Sequence, residues 1–197
     1  MKAVFGLGNP GLEYALSRHN VGFQVIDLYR RVHCPKARGT IACCALIYRT
    51  GDLLLVKPLT YMNESGRAVL AVLDRFRVGP TDSLVVYDDL DLPLGSLRVL
   101  QAGGAGTHNG MRSVLAAIGG EDIPRLRIGI GAEDPLAGGI DYVLGRFTPG
   151  EWQILSGVLE TAVEAVEAFS TSDVTSVMNR FNHRGSAIAA NGDAAII

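Results

Sequence analysis

The alternation of short apolar runs with segments of helical period narrows the folds open to this chain more than any other feature. Lys2 to Leu7 is an almost wholly apolar run, too short for a buried helix, and reads as a buried strand. Val21, Val25, Leu28 and Val32 then recur at the spacing of one helix face, so Val21 to Val32 reads as a helix. Ile41 to Tyr48 and Leu53 to Lys57 are strand-like runs separated by Arg49-Thr50-Gly51-Asp52, a hairpin signal, and Pro58 ends the second. Asn63-Glu64-Ser65-Gly66 opens a helix through Phe76, with Val69, Leu70, Leu73 and Phe76 on its inner face. Ser83 to Tyr87 is a central strand that stops in Asp88-Asp89-Leu90-Asp91, and Leu97 to Leu100 is a further short strand. Asn109 to Ile118 reads as a helix, Arg125 to Ile130 as a strand, Trp152 to Phe169 as a long amphipathic helix following Thr148-Pro149-Gly150-Glu151, and Val174 to Phe181 as a shorter helix.

Strands that alternate with helices call for an α/β fold: a single domain with a mixed, mainly parallel β-sheet covered by helices on both faces. A chain of 197 residues fits one such domain, and no repeat or long linker divides it. The domain is expected over residues 1–184. Residues 185–197 mix small apolar and polar residues without periodicity and are expected to form a flexible tail. In sheets of this kind ligands collect at the carboxyl ends of strands, where this chain places its polar motifs.

Several function classes recede. No apolar run is long enough to span a bilayer, and the first apolar stretch is cut at once by Gly8-Asn9-Pro10-Gly11, so it is a strand and not a signal peptide. The cytoplasm is the expected compartment, with no membrane partner. Three cysteines, two of them adjacent at Cys43 and Cys44, lack metal spacing; on a strand that pair would point to opposite faces. Four scattered histidines give no ligand motif, so neither a metal nor a cofactor is expected. A net charge of -2 is low for a nucleic-acid partner, although the 18 Lys and Arg need only cluster into a patch to bind one.

Gly6, Gly8 and Gly11 satisfy the dinucleotide fingerprint G-x-G-x-x-G after a strand, with Asp27 as a ribose acid. Against that reading, the segment after the glycines is polar and Asp27 falls within a helix-period run. Another chemistry suits these residues better. His19 precedes a helix, where an imidazole can take a proton from water near neutral pH. Asn9, on a tight turn after a strand, can offer an amide to a developing oxyanion, or can simply shape the turn. In Thr60-Tyr61-Met62-Asn63-Glu64-Ser65-Gly66, Asn63 is either a helix N-cap or a substrate contact beside Tyr61 and Met62. Of the acids in Asp88-Asp89-Leu90-Asp91, one carboxylate could hold a histidine in its useful tautomer, the other two serving solvation and turn formation. Gly103-Gly104-Ala105-Gly106-Thr107-His108-Asn109-Gly110 is a glycine-rich loop opening a helix, suited to an anion or to a mobile connection.

Taken together and in order, these segments resemble the bacterial-type peptidyl-tRNA hydrolases. The resemblance rests on Gly6-Leu7-Gly8-Asn9-Pro10-Gly11 with Glu13-Tyr14 and Ser17-Arg18-His19-Asn20-Val21-Gly22, on Met62-Asn63-Glu64-Ser65-Gly66, on Asp88-Asp89-Leu90-Asp91-Leu92-Pro93, on His108-Asn109-Gly110 and on Arg125-Leu126-Arg127-Ile128-Gly129. It covers residues 1 to 184 and implies a monomeric, metal-free esterase acting on peptidyl-tRNA. By position it implies that His19 is the general base and Asp88 its supporting carboxylate. Asn9, Asn63 and Asn109 would be the amides that hold peptide, water or oxyanion. Tyr14, Tyr61, Met62 and His108 would line the cleft, and Arg127 would lie near the tRNA 5′-phosphate. The chain departs from the family pattern at Thr107, usually glycine, and at Leu100, where a second basic residue usually accompanies Arg98. Lys57, Arg112, Arg146, Arg180 and Arg184 are further candidates for a basic rim. A relative that holds RNA without cleaving it is the alternative function.

Overall fold

The computed structural model describes residues 1–131 and 139–182. Seven strands form one mixed sheet in the order β2-β3-β4-β1-β5-β7-β6. They are β1 (Lys2–Gly6), β2 (Gly39–Ala42), β3 (Ala45–Thr50), β4 (Leu53–Pro58), β5 (Ser83–Pro93), β6 (Leu97–Leu100) and β7 (Arg125–Gly131). The four central strands β4, β1, β5 and β7 run parallel, while the β2–β3 hairpin and β6 are antiparallel additions at the two edges. The helices are α1 (Val21–His33), α2 (Ser65–Phe76), α3 (Asn109–Ile118), α4 (Ile140–Leu144), α5 (Pro149–Thr171) and α6 (Val174–Phe181).

Side chains alternate across the central strands and build a core on each face. Val4, Leu55, Leu84, Val86, Leu126 and Ile128 pack beneath α1, α5 and α6, with Phe169 and Phe181 filling the layer. Phe5, Leu54, Val56, Val85 and Tyr87 pack beneath α2 and α3. The expected α/β architecture, with helices on both faces of a mainly parallel sheet, is the one observed.

Four local expectations give way. Ile41 to Tyr48 is two strands and not one. Cys43 and Cys44 adopt φ of 54° and 53° and reverse the chain between Ala42 and Ala45, so they occupy a hairpin turn and not opposite faces of a strand. That left-handed pair of positions usually takes Asn or Gly, which is why composition did not betray it. Second, β5 continues through the acidic motif, because β7 still pairs Asp88 with Ile128 and Asp89 with Gly129 before a register shift. Third, Leu70 and Val32 are 37% and 59% exposed and so lie outside the core faces. Fourth, α5 begins at Pro149: Thr148 and Glu151 form a reciprocal capping box, so the tetrapeptide before Trp152 is the first turn. The expected tail at 185–197 lies outside the described residues.

The G-x-G glycines serve helix packing. A Cβ on Gly6 would overlap the Gly22 carbonyl of α1, one on Gly8 would press on the Phe23 ring, and one on Gly22 would overlap the Val86 carbonyl of β5 and the Leu7 backbone. The helix therefore lies directly on the sheet where β1 ends and against the first half of β5. Gly22→Ala should lower unfolding free energy by about 1–3 kcal/mol through overpacking. Urea denaturation of the two proteins measures it, and equal midpoints would show that α1 stands further from the sheet.

Candidate active site

A buried carboxylate organises the cleft. Asp88, in the middle of the central strand β5, is 2% exposed. His19, from the short 3-10 turn leading into α1, directs Nδ1 at both carboxylate oxygens, 2.9 and 3.0 Å away. His108, the N-cap of α3, directs Nε2 at Asp88 Oδ1, 3.0 Å away. Burial works to raise the Asp88 pKa. The electrostatic attraction and hydrogen bond of the His108 N–H, with the bond from His19, outweigh it and hold the carboxyl well below the usual carboxylate range.

The tautomers follow from the partners. The Met111 backbone N–H donates to His108 Nδ1 at 3.0 Å, so His108 carries its proton on Nε2 and donates it to Asp88. His19 donates from Nδ1, which leaves Nε2 as a lone pair with no partner among the described residues. The two imidazoles stand 4.9 Å apart, and the Tyr87 ring backs His108 at 4.7 Å.

Asn9 is held just as closely. Its backbone N–H donates to Asn20 Oδ1 at 2.8 Å, and its carbonyl accepts from Asn20 Nδ2 at 2.9 Å. Its side-chain Oδ1 accepts from the Met62 N–H at 2.8 Å. With that oxygen committed, the Asn9 amide donors have no partner among the described residues. Met62 is buried and its sulfur lies where a Cβ on Gly110 would press on it, which ties the 60–66 segment to the start of α3.

A cavity of about 810 Å³ opens beside this centre. Its lining includes His19, Asp88, His108, Asn109, Arg127 and Tyr142. The glycine-rich loop forms one side and is pinned there: the buried Arg125 donates to the Gly104, Glu121 and Ile123 carbonyls. Arg127, across the cleft floor, forms an ion pair with Asp89. Asp89 is 8% exposed and also accepts from the Asp91 N–H, so it does more than shape a turn. Leu100 lines the cavity, and Arg98 is exposed on β6 directly opposite Arg127.

Of the residues singled out in the sequence, His19, Asp88, His108, Asn109 and Arg127 meet around this cavity. Asn9 and Met62 are joined to each other beside it. Asn63 is exposed and caps no helix, since the residue before α2 is Glu64 and no side-chain cap bond forms there. Tyr14 is half-buried and Tyr61 is 62% exposed, and neither lines the cavity. Among the rim candidates, Lys57 is paired with Asp27 and Arg180 with Glu164. Arg112 bonds Asn109 and Arg146 is exposed, while Arg184 lies outside the described residues. Thr107 has no left-handed backbone; that conformation falls on Gly106, so the β-branched residue brings no strain. Sequence reasoning passed over Asn20, Asp89, Arg125 and Arg18, each inside a quoted motif but silent about its partner.

His19, Asp88 and His108 also place three ligand-type atoms within 4.8 Å of one another, as a metal site would. The donor set does not suit an ion. A neutral His108 ligating through Nε2 would carry its proton on Nδ1, where the Met111 N–H already points.

The profile of a family described as peptidyl-tRNA hydrolase matches residues 3–189. A curated peptidyl-tRNA hydrolase of Chloroflexus aurantiacus is 45% identical over 187 residues, 92% of this chain and 99% of that protein. One of Desulforamulus reducens is 38% identical, covering 93% of this chain and 90% of its own length. The crystal structure of peptidyl-tRNA hydrolase from Acinetobacter baumannii superposes with a TM-score of 0.82 at 31% identity, covering 92% of this chain and 94% of that one.

Because the folded Asp88 carboxyl titrates below its unfolded value of about 3.9, it contributes stability that is present above that pH and is lost as pH falls toward the folded pKa. Asp88→Asn should therefore unfold more readily at neutral pH and lose less stability than the parent on acidification below about pH 4. Unfolding free energies across that range test it, and parallel curves for the two proteins would remove Asp88 as the titrating group.

Proposed function

The chain belongs to the peptidyl-tRNA hydrolase family, and we propose that its cleft hydrolyses peptidyl-tRNA with His19 as the general base. The bond cleaved is the ester joining the peptide to the terminal ribose of tRNA. Its cleavage in prematurely released peptidyl-tRNA returns tRNA to translation.

The observation that carries the mechanism is the committed Nδ1 of His19. Donation to Asp88 fixes the ring and leaves Nε2 free on the cavity side as a proton acceptor. Nε2 takes a proton from water as the oxygen attacks the ester carbonyl. Asp88 stabilises the imidazolium that forms. The Asn9 amide, held in place by Asn20 and Met62, donates to the oxyanion. The tetrahedral intermediate then collapses, the ribose oxygen leaves with the proton carried by His19, and the products are a peptide acid and free tRNA. No covalent intermediate is needed, because an ester is already activated and positioning supplies much of the effect.

In this reading Tyr14, Tyr61, Met62, Asn63, His108 and Asn109 contact the substrate, and Arg127 meets the tRNA phosphates from the cleft floor. Residues 1–184 form the catalytic domain, which acts as a monomer in the cytoplasm without a metal or cofactor. No helix of the described residues is long and apolar enough to cross a membrane, which accords with that placement.

The test is release of peptide from an N-blocked aminoacyl-tRNA with a chelator present. His19→Ala should lower turnover by about 10²–10⁴. A parental rate in that variant would sink the general-base role, and no turnover by the folded parent would favour a protein that binds RNA without cleaving it. Asn9→Ala should lower kcat by roughly 10²–10³ while leaving KM near the parental value. A loss confined to KM would reassign Asn9 to substrate binding.

A further inference from the structure

Arg18, the residue before His19, spends its charge entirely inside the protein. Only 6% of it is exposed. Nη2 donates to both Glu151 carboxylate oxygens, at 2.9 and 2.8 Å, and Nη1 donates to the carbonyls of Arg146 at 2.8 Å and Tyr142 at 3.4 Å. The guanidinium also lies over the rings of Tyr142 and Phe147, 4.2 and 5.1 Å from their centroids. Its own backbone N–H donates to the Gly145 carbonyl at 2.9 Å, and Ser17 bridges Arg146. A side chain at Gly145 would crowd Nη1, so the approach leaves no slack.

What Arg18 grips is the short helix α4. None of the residues of α4 is buried, so core packing does not hold it. Yet Ile140, Tyr142 and Val143 line the cavity opposite His108, and Ile140 leaves 73% of its surface exposed. The Tyr142 hydroxyl donates to the Ile130 carbonyl at 2.7 Å, and beside the backbone contacts of Ser17 and Arg18 the guanidinium binds the Tyr142 carbonyl of α4 and the Arg146 carbonyl just beyond it. Glu151 is a firm anchor, because the same carboxylate closes the capping box of the 23-residue α5. Burial works to raise its pKa, and the bonds from Arg18 and Thr148 bring it below the usual range, so it stays ionised at neutral pH.

We propose that Arg18 is a positioning residue: its pairing with Glu151 and its bonds to the Tyr142 and Arg146 carbonyls hold the cleft wall that carries Tyr142 in fixed register with His19. Substrate leaning on that wall is then presented at the place where His19 Nε2 takes its proton. The link is direct, since Arg18 and His19 share one 3-10 turn and a shift of the guanidinium moves the peptide that carries the imidazole. The proposal rests on the reading of His19 as the base.

The experiment compares the parent with Arg18→Met, Arg18→Lys and Glu151→Gln, using steady-state turnover of N-blocked aminoacyl-tRNA together with amide hydrogen exchange. Arg18→Met and Glu151→Gln should each lose roughly 10²-fold in kcat/KM, with both kcat and KM altered, because a displacement near 1 Å at the reacting atoms costs that much. Arg18→Lys, which keeps the charge without the planar fork, should recover part of the loss. Amides 140–146 should exchange faster in Glu151→Gln while those of β5 keep their protection. Folded variants with kcat and KM within about twofold of the parent, even with a lower Tm, would overturn the proposal and leave the pair a stabilising one. So would unchanged exchange in α4. If His19→Ala kept parental turnover in the same assay, the base assignment would fail instead, and exchange in α4 would still decide whether Arg18 holds the wall.

Discussion

The carboxylate of Asp88 is almost wholly buried, and the elements around it are arranged to answer that cost. An ionised carboxylate in such a place is penalised by several kcal/mol unless donors replace its hydration. The two that do so come from the segments leading into helices on opposite faces of the sheet: His19 before α1, and His108 at the start of α3. For them to meet, β5 has to run on through its acidic motif and both helices have to lie close. Gly22 brings α1 onto the end of β1 and onto Val86 of β5, and Gly66 does the equivalent for α2 against Ser113 of α3. The Met111 N–H then settles which nitrogen of His108 donates. Asp88 therefore receives two hydrogen bonds at one oxygen, and the imidazole left with a free nitrogen is the one at the cavity mouth of α1.

In a chain of net charge -2, pairing decides which arginines are left to meet an RNA substrate. Three that look available in the sequence are engaged: Arg18 by Glu151, Arg125 by three carbonyls and Arg127 by Asp89. The Arg127–Asp89 pair sits at the cavity, so a phosphate arriving there competes with a carboxylate already in contact. Arg98 faces it across β6 and β7, exposed, and Leu100 contributes no charge beside it. Cation count is thus a poor guide to the field in this cleft, since burial and pairing engage several of the cations before any phosphate arrives.

Much of this was legible before any coordinates. The order of strands and helices followed from apolar period, and the polar motifs, through their resemblance to one family, singled out His19, Asp88 and His108. The turn at Cys43-Cys44 was not legible, since left-handed cysteines carry no compositional mark. Nor was the inward position of Asp89, whose partner Arg127 lies 38 residues away. The amide roles divided in the same way. Asn9 and Asn63 look alike in sequence, yet one is clamped by Asn20 and Met62 while the other stands exposed, and that difference comes from long-range hydrogen bonds alone.

The glycine pattern after β1 shows how one signal can serve opposite chemistries. In a dinucleotide fold such glycines make room for a pyrophosphate at a helix N-terminus. Here the room above Gly6 is filled by the Gly22 carbonyl and Ile26, and that above Gly8 by the Phe23 ring. No phosphate can enter where the helix already touches the strand. That same contact sets α1 low on the sheet and delivers His19, two residues before its start, to Asp88 on the neighbouring strand. The feature that admits a nucleotide elsewhere excludes it here, and by excluding it brings the imidazole and the carboxylate within hydrogen-bonding distance.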